Sequence, residues 1–254
     1  MRFAYLVTEG PHDVEAIGRV LKLYGIKRVE KLEDLNPIWI TLIPKTFPPD
    51  GNLLKRVPIP VFFQNEQYSI AVHAVGGITK LVKRLRLTLL NVIDKEENND
   101  KPFSIGIFAD ADSREAIKCC DQISESLCEI ESLPELKIPG EVKVLGNKRI
   151  GIHVFPNNKN IGTLDDALLE CAEVVYPDLL KAVDSYIETI DEVYRKKWGI
   201  SDQSKVRLGC IANVLRPGKS NQVSIQDNEW ISEKTMQVSL VSELNKFIND
   251  LILN

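Results

Sequence analysis

Short apolar runs alternate with helical patterns through the first two-thirds of the chain. Residues 3–7, 70–75 and 103–109 are apolar runs of the length of a buried strand. Behind them, apolar residues recur at helical spacing from Pro11 onward, across 78–93 and across 114–129. Two further strands are predicted at 142–145 and 149–155, joined by a turn at 146–147. A helix is then predicted at 164–174.

The remaining chain departs from this alternation in two places. Residues 35–70 hold six prolines and short β-like stretches, which predict an insertion of irregular structure and a hairpin that turns near Asn65. From Pro177 onward the pattern is mostly helical. We therefore expect an α/β domain over 1–175, with a mainly parallel sheet flanked by helices. Residues 176–254 are expected to form a helical extension that packs on that domain.

Composition narrows the class of protein. The 254 residues carry a net charge of −4, so bulk positive charge does not drive binding to nucleic acid. The five cysteines have no CxxC spacing, which favours buried or half-buried thiols in a reducing cytoplasm. No apolar run is long enough to predict a membrane span. Basic residues do cluster locally, and one cluster comprises Lys80, Lys83, Arg84 and Arg86.

Acidic residues follow several of the predicted strands. In a parallel sheet, active sites lie beyond the carboxyl ends of the strands. An Asp-x-Asp at a strand end can place both carboxylates on one side of the chain. Carboxylate oxygens suit Mg²⁺ or Mn²⁺, and such an ion stabilises charge on a phosphoryl group. The residues concerned are Glu9 and Asp13, then Asp110 and Asp112, and finally Asp165 and Asp166.

Two other features at these strand ends have two interpretations each. Gly76 and Gly77 either allow a tight turn into the next helix or let its N-terminus approach a phosphate, with Lys80 adding positive charge. His12 lies beside Glu9 in the sequence. It is expected either near the metal or as an ordinary core or surface histidine.

Three segments together resemble a known family. LVTEGPHDVEAI, AVGGITKL and GIFADADS resemble the Toprim domain of primases, type II topoisomerases, recombination proteins and OLD-family nucleases. The resemblance implies a general acid/base and metal-binding role for Glu9, and metal binding by Asp110 and Asp112. The Glu-Gly-x-x-Asp form looks most like the OLD-type branch, which adds Asp13 as a ligand.

Two later segments extend the resemblance to small stand-alone Toprim-like proteins. FPNNKNIGTLDDALLE implies ligands for a second metal ion, with Asp165 in place of the usual glutamate and Asp166 matching the aspartate. DQSKVRLGCIA implies that Lys205 stabilises a phosphoryl transition state. OLD-type proteins often act beside an ATPase in defence against mobile DNA. This chain has no GxxxxGK[ST], so that ATPase would be a separate partner.

The resemblance therefore implies metal-dependent phosphodiester cleavage of DNA or RNA. A second hypothesis is a non-catalytic regulatory module that binds metal or nucleic acid. A third takes FADADS as the nucleophile loop of a HAD-like phosphatase, although that loop usually follows the first strand. The sequence predicts neither a tyrosine-bearing cleavage domain nor a zinc-binding primase module.

Overall fold

The computed structural model of the chain describes residues 1–46, 59–130 and 133–254, without the side chain of Ile200. Much of the proline-rich insertion, residues 47–58, lies outside this range. The strands are β1 (Arg2–Thr8), β2 (Lys27–Arg28), β3 (Val61–Gln64), β4 (Tyr68–Ala74), β5 (Phe103–Asp110), β6 (Val142–Leu145) and β7 (Lys148–Phe155).

Within the described residues, three α-helices lie between strands and the others follow β7. They are α1 (Pro11–Leu23), α2 (Ile78–Thr88), α3 (Ala116–Leu127), α4 (Leu164–Val175), α5 (Pro177–Thr189), α6 (Glu192–Arg195), α7 (Ile200–Leu215), α8 (Asn221–Asp227) and α9 (Ser239–Ile248). Single π-helical turns, Leu89–Ile93 and Asn249–Leu253, extend α2 and α9. Within the described ranges, no helix is both long and apolar enough to span a membrane.

The strands form one mixed sheet in the order β2-β3-β4-β1-β5-β7-β6. The four central strands β4, β1, β5 and β7 are parallel. At the edges, β3 pairs antiparallel with β4, and β6 with β7. The predicted hairpin is confirmed, since the Asn65 side chain accepts backbone N–H groups of Gln67 and Tyr68 in the turn, both at 2.9 Å. The expected mainly parallel α/β sheet is likewise confirmed.

Each face of the sheet has its own apolar core. Because strand side chains alternate, Ala4 and Leu6 of β1 face one core while Tyr5 and Val7 face the other. The first core is covered by α1, α4 and the C-terminal helices, and the second by α2, α3 and the Pro37–Leu42 3-10 helix. Burial of each large side chain contributes about 1.5–3 kcal/mol to this arrangement.

The cysteines form no disulfide and are not uniformly buried. All five are free thiols; Cys119, Cys120 and Cys171 are buried, and Cys210 is half-buried. Cys128 is exposed at the end of α3, contrary to the expectation for all five. The helical pattern simply ends there, so this position does not face the core.

The loops that leave β1 and β5 diverge to opposite faces of the sheet. β1 leads into α1 above the first core, whereas β5 leads into α3 above the second. These strands are neighbours, and the divergence leaves a crevice at their carboxyl ends. Four of the six acidic residues predicted from the sequence line this crevice.

Candidate active site

Glu9 is the first residue past β1 and is held from two sides. Its backbone carbonyl accepts the N–H groups of Gly76 at 2.9 Å and Gly77 at 3.3 Å. Its carboxylate accepts the backbone N–H of Asp110 at 3.0 Å and that of Ile78 at the start of α2. The two glycines have φ angles of 79° and 115°, a region that other residues rarely adopt. The Gly-Gly turn therefore fixes the position of Glu9.

Asp13 lies in the first turn of α1 and is almost fully buried. Its Oδ2 accepts the backbone N–H of Gly10 at 2.9 Å, an arrangement that closes the N-terminus of the helix. Pro11 occupies the first helical position, where no N–H donor is needed. The sequence Gly-Pro-His-Asp thus forms a helix start whose acidic residue points toward the crevice wall lined by Glu9.

Asp110 ends β5 and contacts the start of α4. Its Oδ1 accepts the backbone N–H of Leu164, the first residue of that helix, at 2.8 Å. A carboxylate in this position is favoured by the helix dipole and by the unpaired N–H groups of the first turn. The end of β5 is thereby joined to the segment that follows β7.

Asp112 is more exposed than Asp110. Its backbone has φ 54° and pairs with Gly162 through N–H···O bonds of 2.9 and 2.7 Å. The side chain is 59% exposed and faces Arg114 at 3.8 Å. The charge of Asp112 still adds to the rise in the pKa of Asp110 and of Glu9, so its carboxylate lies near theirs although it is more exposed. A metal-binding role for Asp112 stays a prediction.

Asp165 and Asp166 are neighbours with different environments. Asp165 is buried, and its Oδ1 lies 2.9 Å from Nδ1 of His12. Asp166 instead accepts the backbone N–H and the hydroxyl of Thr163, at 2.8 and 2.9 Å, and the hydroxyl of Ser204. Thr163 is the N-cap of α4, as predicted. Asp166 therefore closes a helix start, and its metal-binding role stays a prediction.

The crevice contains a cavity of ≈ 510 Å³. Four carboxylates line it, together with Gly77, Lys205 and Asn221; the carboxylates are those of Glu9, Asp13, Asp110 and Asp165. Lys80 lies further out, where its Nζ is 3.6 Å from the position that a side chain on Gly76 would occupy. The N–H groups of both glycines are bonded to Glu9, so phosphate binding by Gly76, Gly77 and Lys80 stays a prediction.

The pKa values of three carboxyl groups that line the cavity are raised. Burial raises the pKa of Asp13 to about 7, and the charges of Glu9 and Asp165 add to this effect. Burial and the nearby Asp13 raise the pKa of Asp110 well above its ordinary value. Burial likewise raises the pKa of Glu9, although the hydrogen bond from the backbone N–H of Asp110 acts to lower it. Crowding of buried carboxylates is unfavourable unless protons or a cation compensate it.

The carboxylate oxygens around the cavity are the kind of ligand that a hard cation such as Mg²⁺ prefers. The hydrogen bonds above use one oxygen each of Asp13, Asp110 and Asp165, which leaves the second oxygen as a possible ligand. Within residues 1–46, 59–130 and 133–254, however, no three His, Cys, Asp or Glu side chains converge closely enough to hold an ion. The four carboxylates are therefore of the chemical type that binds such an ion, and they lie around one cavity. Their side chains would have to move closer together to bind the ion.

Sequence reasoning underestimated three residues of this region. His12 lines the cavity, and although burial lowers its pKa, the hydrogen bond and charge of Asp165 outweigh this and raise it. Asn221, from the start of α8, also lines the cavity. Arg114 lies near enough to Glu9 to lower its pKa, against the effect of burial. The position of His12 within Glu-Gly-Pro-His-Asp indicated that it could lie at the site, whereas no sequence pattern indicated this for Asn221.

Comparisons with known proteins give a family and a fold. A family model described as Protein of unknown function (DUF3226) matches residues 4–252. Hypothetical protein PH0156 from Pyrococcus horikoshii OT3 is 16% identical, with a TM-score of 0.55 over 98% of this chain and 100% of its own. The C-terminal region of the Xanthomonas campestris pv. campestris OLD protein is 13% identical, with a TM-score of 0.44 over 98% and 95%.

A search of curated proteins finds no match to this chain. The first of the two structural likenesses supports the α/β fold described above. The Toprim resemblance read from the sequence remains an expectation.

Proposed function

The chain belongs to the family described as Protein of unknown function (DUF3226), and for this member we propose a metal-dependent phosphodiesterase that acts on nucleic acid. One observation carries the proposal. Four carboxylates from three separate segments surround one cavity at the carboxyl edge of a parallel sheet, and burial raises the pKa of three of them. A protein gains nothing in stability from such crowding, which is typical of functional sites.

Glu9 is the proposed general base. Backbone N–H groups hold its carboxylate in place, and burial raises its pKa toward the range in which proton transfer is efficient at neutral pH. Lys205 lies on the cavity wall as the source of positive charge for a phosphoryl oxygen. The N–H groups at the start of α4 and α2 orient Asp110 and Glu9, so each proposed residue has a fixed support.

Mg²⁺ or Mn²⁺ is the proposed cofactor. Glu9, Asp13, Asp110 and Asp165 are the residues that would hold it, because their carboxylates line the same cavity. Such an ion lowers the pKa of bound water and neutralises charge on a phosphoryl group. A second ion, with Asp112 or Asp166 as a ligand, is part of the proposal. In the structure, the Asp112 side chain is largely exposed and Asp166 caps α4.

The test is cleavage of labelled single-stranded and duplex DNA and RNA with Mg²⁺ or Mn²⁺. We expect cleavage by the wild type and its loss in Asp110→Asn, with circular dichroism confirming that the variant folds. Asp100→Asn is the matched control, because Asp100 is an exposed aspartate just before β5, at the opposite edge of the sheet. Equal activity in Asp110→Asn and Asp100→Asn would refute the proposed site.

A second candidate function is a regulatory module that binds metal or nucleic acid without cutting it. It is favoured by the absence of three convergent ligand side chains in the described part of the chain. Calorimetric binding of Mn²⁺ without cleavage of any substrate would support it. The separate ATPase partner, the role in defence against mobile DNA and the cytoplasmic location stay predictions, the first testable by copurification.

A further inference from the structure

Helix α2 carries an unusual charge for this protein. Its eleven residues include Lys80, Lys83, Arg84 and Arg86 and no acidic residue, whereas the chain as a whole has a net charge of −4. A concentration of positive charge on one helix of an acidic protein is typical of a local site for an anionic partner. The first turn of this helix holds the carboxylate of Glu9, so the positive charge begins beside the acidic cavity.

A groove of ≈ 440 Å³ runs between α2 and α3. Apolar side chains from both helices line it, among them Ile78, Val82 and Ile123. Lys83 and Arg86 line the same groove and are exposed. The groove thus combines an apolar surface with two cations, and Glu129 is the acidic residue that lines it.

The groove is continuous with the acidic cavity along the chain. Gly77 lines the cavity, and the next two residues, Ile78 and Thr79, line the groove. Arg114 lies near both places, because its guanidinium bonds the Gln122 side chain in the groove wall and its charge lowers the pKa of Glu9 in the cavity. The groove and the cavity therefore meet at the start of α2.

The cations of the groove are available to a ligand. Among the residues that the structure describes, Lys83 has no ion pair, and Arg86 has one contact, with Glu129 at 3.8 Å. The side chains of Arg86 and Glu129 are 56% and 75% exposed, and an exposed pair at that distance contributes little to stability. Phosphates could replace this contact at small cost.

We propose that the groove between α2 and α3 binds a single strand of nucleic acid and leads it to the acidic cavity. This inference rests on the proposed function for its direction, since the cavity is where the strand would be cut. Unpaired bases present apolar faces that can contact the half-buried Ile78 and Val82, while the phosphates meet Lys83 and Arg86. A duplex buries its base faces and would leave the apolar surface uncovered.

The test measures binding without metal ion, so that cleavage does not intervene. Fluorescence anisotropy would follow labelled DNA and RNA strands of about 16 nucleotides, and a duplex of the same length. We expect the single strand to bind at least tenfold more tightly than the duplex. The double variant Lys83→Gln/Arg86→Gln should bind the strand at least tenfold more weakly, with a salt-dependence slope smaller by about 1.4.

The matched control is Lys181→Gln/Lys246→Gln, which removes the same charge from exposed positions on α5 and α9. It should bind like the wild type. Equal affinity of both double variants, no binding of any strand, or equal binding of duplex and single strand would overturn the inference. Strand binding through the groove without hydrolysis would reject only the proposed function, and hydrolysis without any groove effect would reject only this inference.

Discussion

The backbone N–H of Asp110 donates to Oε1 of Glu9 at 3.0 Å, across 101 positions of sequence. Asp110 in turn accepts the N–H of Leu164 through its own carboxylate at 2.8 Å. These two bonds join the carboxyl end of β1, the carboxyl end of β5 and the start of α4. Backbone N–H groups therefore fix the carboxylates of Glu9 and Asp110 relative to each other. The positions of these backbone groups do not depend on side-chain rotamers.

This relationship predicts the behaviour of Glu9→Gln. Glutamine keeps an oxygen for the Asp110 N–H but cannot accept a proton as a base. We expect the fold to be retained and kcat to fall by about 10²- to 10⁴-fold. In the wild type, activity should rise with pH through the elevated pKa of Glu9, because its charged form is the base. Initial rates across pH would test this, and an unchanged kcat in Glu9→Gln would exclude the role.

Crowding of carboxylates predicts a link between metal ion and stability. Asp110→Asn should raise the melting temperature without metal, because it removes one buried charge from a group of four. Mg²⁺ at a hundredfold excess over its Kd should stabilise the wild type by about 2.7 kcal/mol. The variant should lose most of that gain. Thermal melts with Mg²⁺ and with a chelator measure both effects, and an equal Mg²⁺ gain in the variant would contradict the proposal.

The adjacent aspartates of α4 predict a separation of stability from activity. Asp166→Ala removes the capping bonds to Thr163 and the contact with Ser204, so it should destabilise the fold by about 1 kcal/mol. Asp165→Asn keeps an acceptor for His12 and should change stability little, yet lower activity by weakening the proposed metal site. Urea denaturation and cleavage rates of both variants measure these effects. A loss of stability in Asp165→Asn together with a loss of activity alone in Asp166→Ala would contradict the prediction.

His153 predicts part of the acid sensitivity of the fold. It is fully buried among Phe108, Phe155 and Phe247, its Nε2 has no hydrogen-bond partner within the described residues, and burial lowers its pKa to about 3. Between pH 6.5 and 3 the unfolded chain binds the proton and the folded chain does not.

Stability from this group is therefore complete above pH 6.5 and is lost as pH falls, by up to about 1.4 kcal/mol per pH unit. His153→Leu should flatten this dependence between pH 7 and pH 5. Denaturant midpoints at several pH values measure the slope. An equally steep loss of stability in the variant would assign the acid sensitivity to other groups.

Much of the fold follows from local patterns. The strands at 3–7 and 103–109, the helix from Pro11 and the N-cap at Thr163 were predicted because apolar periodicity and capping residues act over a few positions. The placement of acidic residues beyond strand ends also predicted that Glu9, Asp13, Asp110 and Asp165 lie near one another. These are consequences of sheet topology, which the alternation of strands and helices already implies.

The different environments of the acidic residues could be seen only in the tertiary structure. Asp110 and Asp112 are two residues apart, yet the left-handed backbone at Asp112 sends its side chain to solvent. Asp165 and Asp166 are adjacent, yet Thr163 and Ser204 hold one while His12 contacts the other. Such differences depend on which groups arrive from distant segments.

The sequence by itself determined the α/β class, the strand ends that carry carboxylates and the local helix starts, because each depends on periodicity or on neighbouring residues. The tertiary structure decided which carboxylates share the cavity, that the Gly76-Gly77 turn supports Glu9, and that α2 and α3 form a basic groove beside it. Those features arise from contacts between distant segments, such as His12 with Asp165, which are 153 positions apart. Pairings of that kind are set by packing of the whole sheet and its helices.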